Sequence, residues 1–197
     1  MKVGITGGIG SGKSTICKVF QELGIPVYEA DLRAKKIIVK NEVKNQVINL
    51  FGNQAYIDDR LNRDYIANII FNDFEKREAL NDIIHPAVAQ DFNDWCNQHS
   101  EAPRVIKEAA LFFETGSNLE MDKMILVTAN HEEKIARILK RDPFRTVDEI
   151  LKIMSSQLPD EEKIRMADFI IKNDNTTLIL PQINKIHQEL LTLVNHK

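Results

Sequence analysis

Apolar residues in this chain fall into two alternating patterns. Short unbroken runs at Lys2–Thr6, Ile25–Tyr28, Arg104–Glu108, Met124–Val127 and Phe169–Ile171 are bounded by turn residues and read as buried strands. Helical spacing follows them. Ile16, Val19, Phe20 and Leu23 share one face, as do Ile135, Ile138 and Leu139, and then Ile183, Ile186, Leu190, Leu191 and Val194. Strands alternating with helices predict an α/β protein whose sheet is parallel and covered on both faces.

Two stretches depart from that rhythm. Residues 32–100 read as helical almost throughout, with stripes at Val43, Val47, Ile48 and Phe51, at Ile66, Ile69 and Ile70, and at Leu80, Ile83 and Ile84. A helix is expected to end at His85-Pro86 and a further one to carry Phe92 and Trp95. A crossover between parallel strands needs only about a dozen residues. The surplus reads as a helical insertion covering a ligand crevice. Residues 137–165 concentrate Arg137, Lys140, Arg141, Arg145, Lys152, Lys163 and Arg165 around a stripe of Val147, Ile150, Leu151 and Met154. The plain reading is a solvated helical hairpin. The sharper one is a lid that brings an arginine over a transferring phosphoryl group. The division is a core of 1–31, 101–140 and 166–197, an insertion of 32–100 and a lid of 141–165.

Between the first strand and the first helix lies Gly7-Gly8-Ile9-Gly10-Ser11-Gly12-Lys13-Ser14, which fits G-x-x-x-x-G-K-[ST] at every specified position. A glycine-rich turn without a ligand is the plain alternative. The strand before and the helix after supply the context of a phosphate-binding loop. Glycines let several N–H groups converge on one anion at the positive end of the helix dipole. Lys13 can neutralise β- and γ-phosphate oxygens, and the Ser14 hydroxyl can ligate Mg²⁺. Asp31, just past the second strand, could orient an attacking hydroxyl and accept its proton, or could simply cap the next helix. Glu108, ending the third strand, is either an acid on the Mg²⁺ side or a solvated strand-end charge.

Composition narrows the setting. The 197 residues are 43% hydrophobic and 28% charged, with a net charge of −3 and a pI near 6.0, which argues against a nucleic-acid surface. No apolar run reaches the ~18 residues of a membrane span, and the N-terminus enters the first strand directly, so a cytoplasmic protein is expected. Cys17 and Cys96 have no metal-type spacing and read as thiols in a reducing compartment. The histidines at 85, 99, 131, 187 and 196 form no ligand set.

Three kinds of phosphate-loop protein compete: a small-molecule kinase, a regulatory GTPase and a non-catalytic nucleotide-binding module. The GTPase would need an Asn-Lys-x-Asp guanine motif, whereas the fourth strand runs into Thr128-Ala129-Asn130-His131. The module would need neither Asp31 nor the insertion. A kinase is favoured.

From end to end the chain also resembles the dephospho-coenzyme A kinases. Ile5-Thr6-Gly7-Gly8-Ile9-Gly10-Ser11-Gly12-Lys13-Ser14 matches that family's opening nearly letter for letter. Glu29-Ala30-Asp31, Phe51-Gly52, Asn62-Arg63, Ile70-Phe71, Ile84-His85-Pro86 and the segment Glu108 to Glu114 follow in the family's order. Arg137, Lys140-Arg141-Asp142, Gln157, Lys163 and Ala167 to Asn173 resemble its lid and closing elements. Glu29, Asp59-Arg60, Glu108 and Ala110 depart from the usual letters, and none of these touches the phosphate loop or Asp31.

The resemblance implies a three-layer P-loop nucleoside-triphosphate hydrolase fold with a five-stranded parallel sheet. It also implies ATP-dependent phosphorylation of the 3′-hydroxyl of dephospho-coenzyme A, the last step of coenzyme A synthesis. A nucleoside or nucleoside-monophosphate kinase of like architecture is the alternative. On the family pattern, Gly8, Gly10, Ser11, Gly12, Lys13, Ser14 and Thr15 hold the ATP phosphates, with Asn173 near the adenine. Ser14 and, through water, Glu108 serve Mg²⁺. Lys13 with Arg141 first and Arg137 second stabilises the transferring group, and Asp31 takes the hydroxyl proton. Arg63, His85, Leu111 and Phe112 hold the acceptor. No nucleic acid, membrane or obligate protein partner is implied.

Overall fold

A computed structural model describes residues 1–195. The five strands of the main sheet are β1 (Lys2–Thr6), β2 (Val27–Glu29), β5 (Val105–Glu108), β6 (Lys123–Thr128) and β7 (Phe169–Lys172). They lie in the order β2-β5-β1-β6-β7, all parallel, with β1 at the centre. Ile5 stands opposite Glu108 on one side and Ile125 on the other, which fixes the register where β1 ends.

Burial explains why these runs are strands. β1, β5 and β6 are enclosed on both faces, so their apolar runs are continuous rather than alternating. On one face, α1 (Lys13–Glu22) and α9 (Ile179–Asn195) set Ile16, Phe20, Ile183 and Leu190 against Val3, Ile5 and Ile125. On the other, Phe112, Phe113 and Met124 form a smaller cluster against Leu158 and Ala167. The helices α6 (His131–Arg141), α7 (Val147–Ser155) and α8 (Asp160–Met166) join β6 to β7. A reciprocal capping box between Thr146 and Glu149 starts α7.

The chain divides into two compact units, residues 1–28 with 99–197, and residues 29–98. The second is built from α2 (Ala30–Ile37), α3 (Asn41–Phe51), α4 (Arg63–Asn72) and α5 (Phe74–Gln98). Its core gathers Ile37, Val43, Val47, Phe51, Ile66 and Leu80. Arg33 of α2 donates to Asp91 of α5 at 2.7 Å, and Lys40 reaches the same carboxylate at 3.3 Å. Near the end of α5, Trp95 stacks on the buried Phe92 with ring centroids 6.2 Å apart.

Two expectations for this unit are corrected. The helix expected to stop at His85-Pro86 continues through it, so that α5 spans 25 residues with Pro86 inside. Proline removes one helical N–H and costs about 3 kcal/mol in a helix interior. Burial of the α5 face through Leu80, Ile83, Ile84 and Phe92 offsets that cost. The stretch is also not helical throughout. It contains the two-residue strands β3 (Tyr56–Ile57) and β4 (Arg60–Leu61), paired antiparallel around Asp58 and Asp59. Both aspartates have positive φ, 48° and 62°, the geometry of a tight hairpin turn that Asp tolerates.

Candidate active site

The glycine loop leaves the central strand and enters α1, and its glycines are required by neighbours as well as by backbone angle. A Cβ on Gly7 would stand 2.2 Å from the carbonyl oxygen of Val127, a backbone atom of β6 that cannot yield. Gly12 holds φ +94° at the N-cap of α1, and a Cβ there would overlap the side-chain nitrogen of Asn173. Gly10 lies against the backbone of Lys134 in α6. Gly8 and Ser11 complete the turn, and Thr15 lies in the first turn of α1. Ser14 and Thr15 are exposed, whereas Ser11 is buried.

Lys13 closes the loop on itself. Its Nζ donates to the carbonyl of Gly7 at 2.9 Å and lies 3.9 Å from Oε1 of Glu108. Glu108 is only 7% exposed, so the solvated strand-end reading does not hold. Enclosed at the end of β5, its carboxylate keeps the lysine as a charge neighbour.

Around this centre the loop is braced from β7 and α6. Asn173 donates from Nδ2 to the carbonyl of Ser11 at 2.8 Å, and its own N–H donates to Thr128 at 2.8 Å. Arg137 donates to the carbonyls of Ser11 at 3.4 Å and Asn173 at 2.9 Å and pairs with Glu133 at 3.1 Å. Arg141, one helical turn on, turns instead to Asp142 at 2.8 Å, where it and Arg145 hold that carboxyl below its ordinary range. Of the two arginines, Arg137 is the one at the loop. Beside Gly8 and Ile9 opens a cavity of 650 Å³, lined also by Lys134, Met154, Gln157 and Asp160. Lys134, buried in α6, pairs there with Asp160 of α8. Sequence reasoning assigned no site role to Lys134 or Asp160. A lysine near a row of cations carries no mark in the sequence that it is buried.

In the second unit, Asp31 is exposed in the first turn of α2. The N-cap position belongs to Glu29, so the capping alternative for Asp31 is corrected. Arg63 opens α4 after Asn62, whose side chain caps Tyr65 at 3.3 Å. With Ala34, Lys35, Arg60 and Ile84, Arg63 lines a cavity of 410 Å³. His85 is exposed on α5 and is not part of that lining. Leu111, in the first unit, is 44% exposed, but Phe112 is fully buried and offers no surface to an acceptor. His196 lies outside the described residues. Among the described residues no group of three or more His, Cys, Asp or Glu converges as a metal site, and no helix is long and apolar enough to cross a membrane.

A parallel sheet whose central strand feeds a glycine loop, with a lysine held between that loop and a buried strand-end acid, defines a phosphate-loop nucleotide-binding protein. The dephospho-CoA kinase family model matches residues 1–178. A dephospho-CoA kinase of Chlorobaculum tepidum is 39% identical over 98% of this chain and 96% of its own length. One of Fusobacterium nucleatum is 38% identical over 89% and 90%. Among solved structures, a Thermus thermophilus protein superposes with TM-score 0.84 at 31% identity, covering 98% of this chain and 96% of that one. The Campylobacter jejuni dephospho-CoA kinase gives 0.71 at 28%, covering 96% and 98%. The chain belongs to the dephospho-CoA kinase family. Its activity is the ATP-dependent phosphorylation of dephospho-CoA in coenzyme A biosynthesis.

Proposed function

We propose that the backbone N–H groups of Gly10 to Thr15 hold the ATP phosphates and that Asp31 takes the proton of the acceptor's 3′-hydroxyl. Lys13 supplies positive charge to the transferring group. The observation that carries this reading is the placement of Lys13, whose ammonium is fixed by Gly7 and Glu108 rather than left to swing in solvent. A charge held in place before the reaction stabilises developing negative charge without reorganisation. Gly8 and Ser11 shape the loop, and Asn173 acts on ATP through its hold on Ser11. Arg137 adds charge at the loop, and Arg141 reaches the transferring phosphoryl group when residues 141–165 close as a lid. Residues 1–31, 101–140 and 166–197 form the nucleotide core.

The donor set fits Mg²⁺. The Ser14 hydroxyl and the Glu108 carboxylate are hard oxygen donors, too few to cage an ion alone, as suits an ion that arrives with its triphosphate. An ion held by the Ser14 hydroxyl, with Glu108 acting through water, would supply positive charge to the phosphate oxygens. Residues 32–100 receive the acceptor. Arg60, Arg63 and Lys35 face a cavity with apolar walls, a combination suited to a phosphorylated ligand with an apolar arm. His85 and Leu111 are further contacts for the acceptor. Action on a soluble metabolite with ATP suits the cytoplasm.

Asp31→Asn tests the assignment. Turnover should fall by about two orders of magnitude or more, the worth of a general base, with the Kd for ADP unchanged. Near-normal turnover would remove Asp31 as the base.

A further inference from the structure

One backbone donor of the glycine loop is directed to a protein side chain. The N–H of Ile9 donates to Oε1 of Gln157 at 2.9 Å, across 148 residues of sequence. Ile9 immediately precedes the run of N–H groups assigned above to the phosphates. Gln157 is itself held. The next N–H, of Leu158, donates to Oε1 of Glu114 at 2.9 Å, and that oxygen lies 2.8 Å from Nζ of the fully buried Lys163. A Cβ on Gly8 would stand 3.5 Å from the same Gln157 oxygen, so the glutamine lies along the loop as well as at one of its donors.

The curl of such a loop is set by which N–H groups point inward and which point out. An outward N–H needs a partner, since a buried donor left unmade is destabilising. We propose that Gln157 is a positioning residue for the phosphate loop: by accepting from Ile9 it fixes the direction of that peptide and so the inward set that follows. The Glu114–Lys163 pair, through Leu158, keeps the glutamine in place. Gln157 touches neither phosphate nor acceptor in this role. It governs affinity for the nucleotide and not for dephospho-CoA. The inference rests on ATP binding at residues 8–15.

Gln157→Met tests it, since methionine keeps the length and volume and removes the acceptor. Titration calorimetry with Mg-ADP should show Kd raised about tenfold, and the KM for ATP should rise in step, as befits one lost hydrogen bond. The KM for dephospho-CoA should stay at its wild-type value. Unchanged ADP binding by Gln157→Met, or equal losses for ATP and dephospho-CoA, would each overturn the proposal. Should Gln157→Met not fold, Gln157→Asn, one methylene too short to reach Ile9, carries the same expectations. A wild-type protein that bound no ADP would overturn the ATP assignment itself, and the inference with it.

Discussion

The side-chain amide of Asn173 donates to the carbonyl of Ser11 at 2.8 Å, tying the end of the last strand to the middle of the glycine loop. The same nitrogen lies where a Cβ on Gly12 would have to go. The loop is therefore shaped from outside as well as by its glycines. Asn173→Asp would set a carboxylate oxygen against the Ser11 carbonyl. We expect the KM for ATP to rise at least about tenfold, with stability falling by about 1–3 kcal/mol in urea denaturation. A wild-type KM for ATP would show that the loop keeps its shape unaided.

Arg137 and Arg141 should separate kinetically. Arg137 is bonded to Ser11 and Asn173, whereas Arg141 is bonded to its neighbour Asp142. Arg137→Ala should raise the Kd for ADP and lower turnover together. Arg141→Ala should lower turnover, by about tenfold or more, and leave ADP binding as it was. Titration calorimetry beside steady-state rates distinguishes the two patterns.

Lys163 is fully buried and has Glu114 at 2.8 Å as its counter-charge. Glu114→Ala strands that ammonium, and removing one partner of a buried pair costs about 3–5 kcal/mol. Replacing both residues by methionine should recover much of the loss, because two apolar side chains need no desolvation of charge. Denaturant midpoints of the wild type, Glu114→Ala and the double variant give the comparison.

Acid should weaken the fold through His187. The guanidinium of Arg104, 4% exposed, lies 3.0 Å from its Nδ1. Burial first and that positive charge second lower the pKa of His187 below its ordinary 6.5. The unfolded chain therefore takes up this proton at a higher pH than the folded one. Stability from this group is full above pH 6.5 and declines as pH falls through the unfolded and then the folded value. The Tm should drop between neutral and mildly acid pH, and His187→Gln should make that drop shallower. Parallel pH profiles for the two proteins would exclude His187 as the cause.

What could be read from the chain follows from how each feature is encoded. Strands buried on both faces leave unbroken apolar runs, so β1, β5 and β6 were visible to within a residue or two at their ends. The glycine loop was visible because its backbone demands a side chain of one kind at fixed places. The hairpin at Tyr56–Leu61 was missed because two-residue strands are too short for any period to show. Proline at 86 pointed to a break, and the buried face of α5 overrode that local preference. The burial of Glu108, Lys134 and Lys163 was not legible because burial of a single charged side chain depends on a partner distant in sequence. The same is true of Gln157 and Ile9, whose contact leaves no trace in either neighbourhood.

The stacking of Trp95 on Phe92 has a practical consequence. This chain has one tryptophan, and it belongs to the unit of residues 29–98, away in sequence from the glycine loop. Its emission is thus an intrinsic optical label for that unit alone. Melting followed at the indole reports the insertion, while circular dichroism reports the whole chain, and any divergence between the two traces would measure how independently the insertion unfolds.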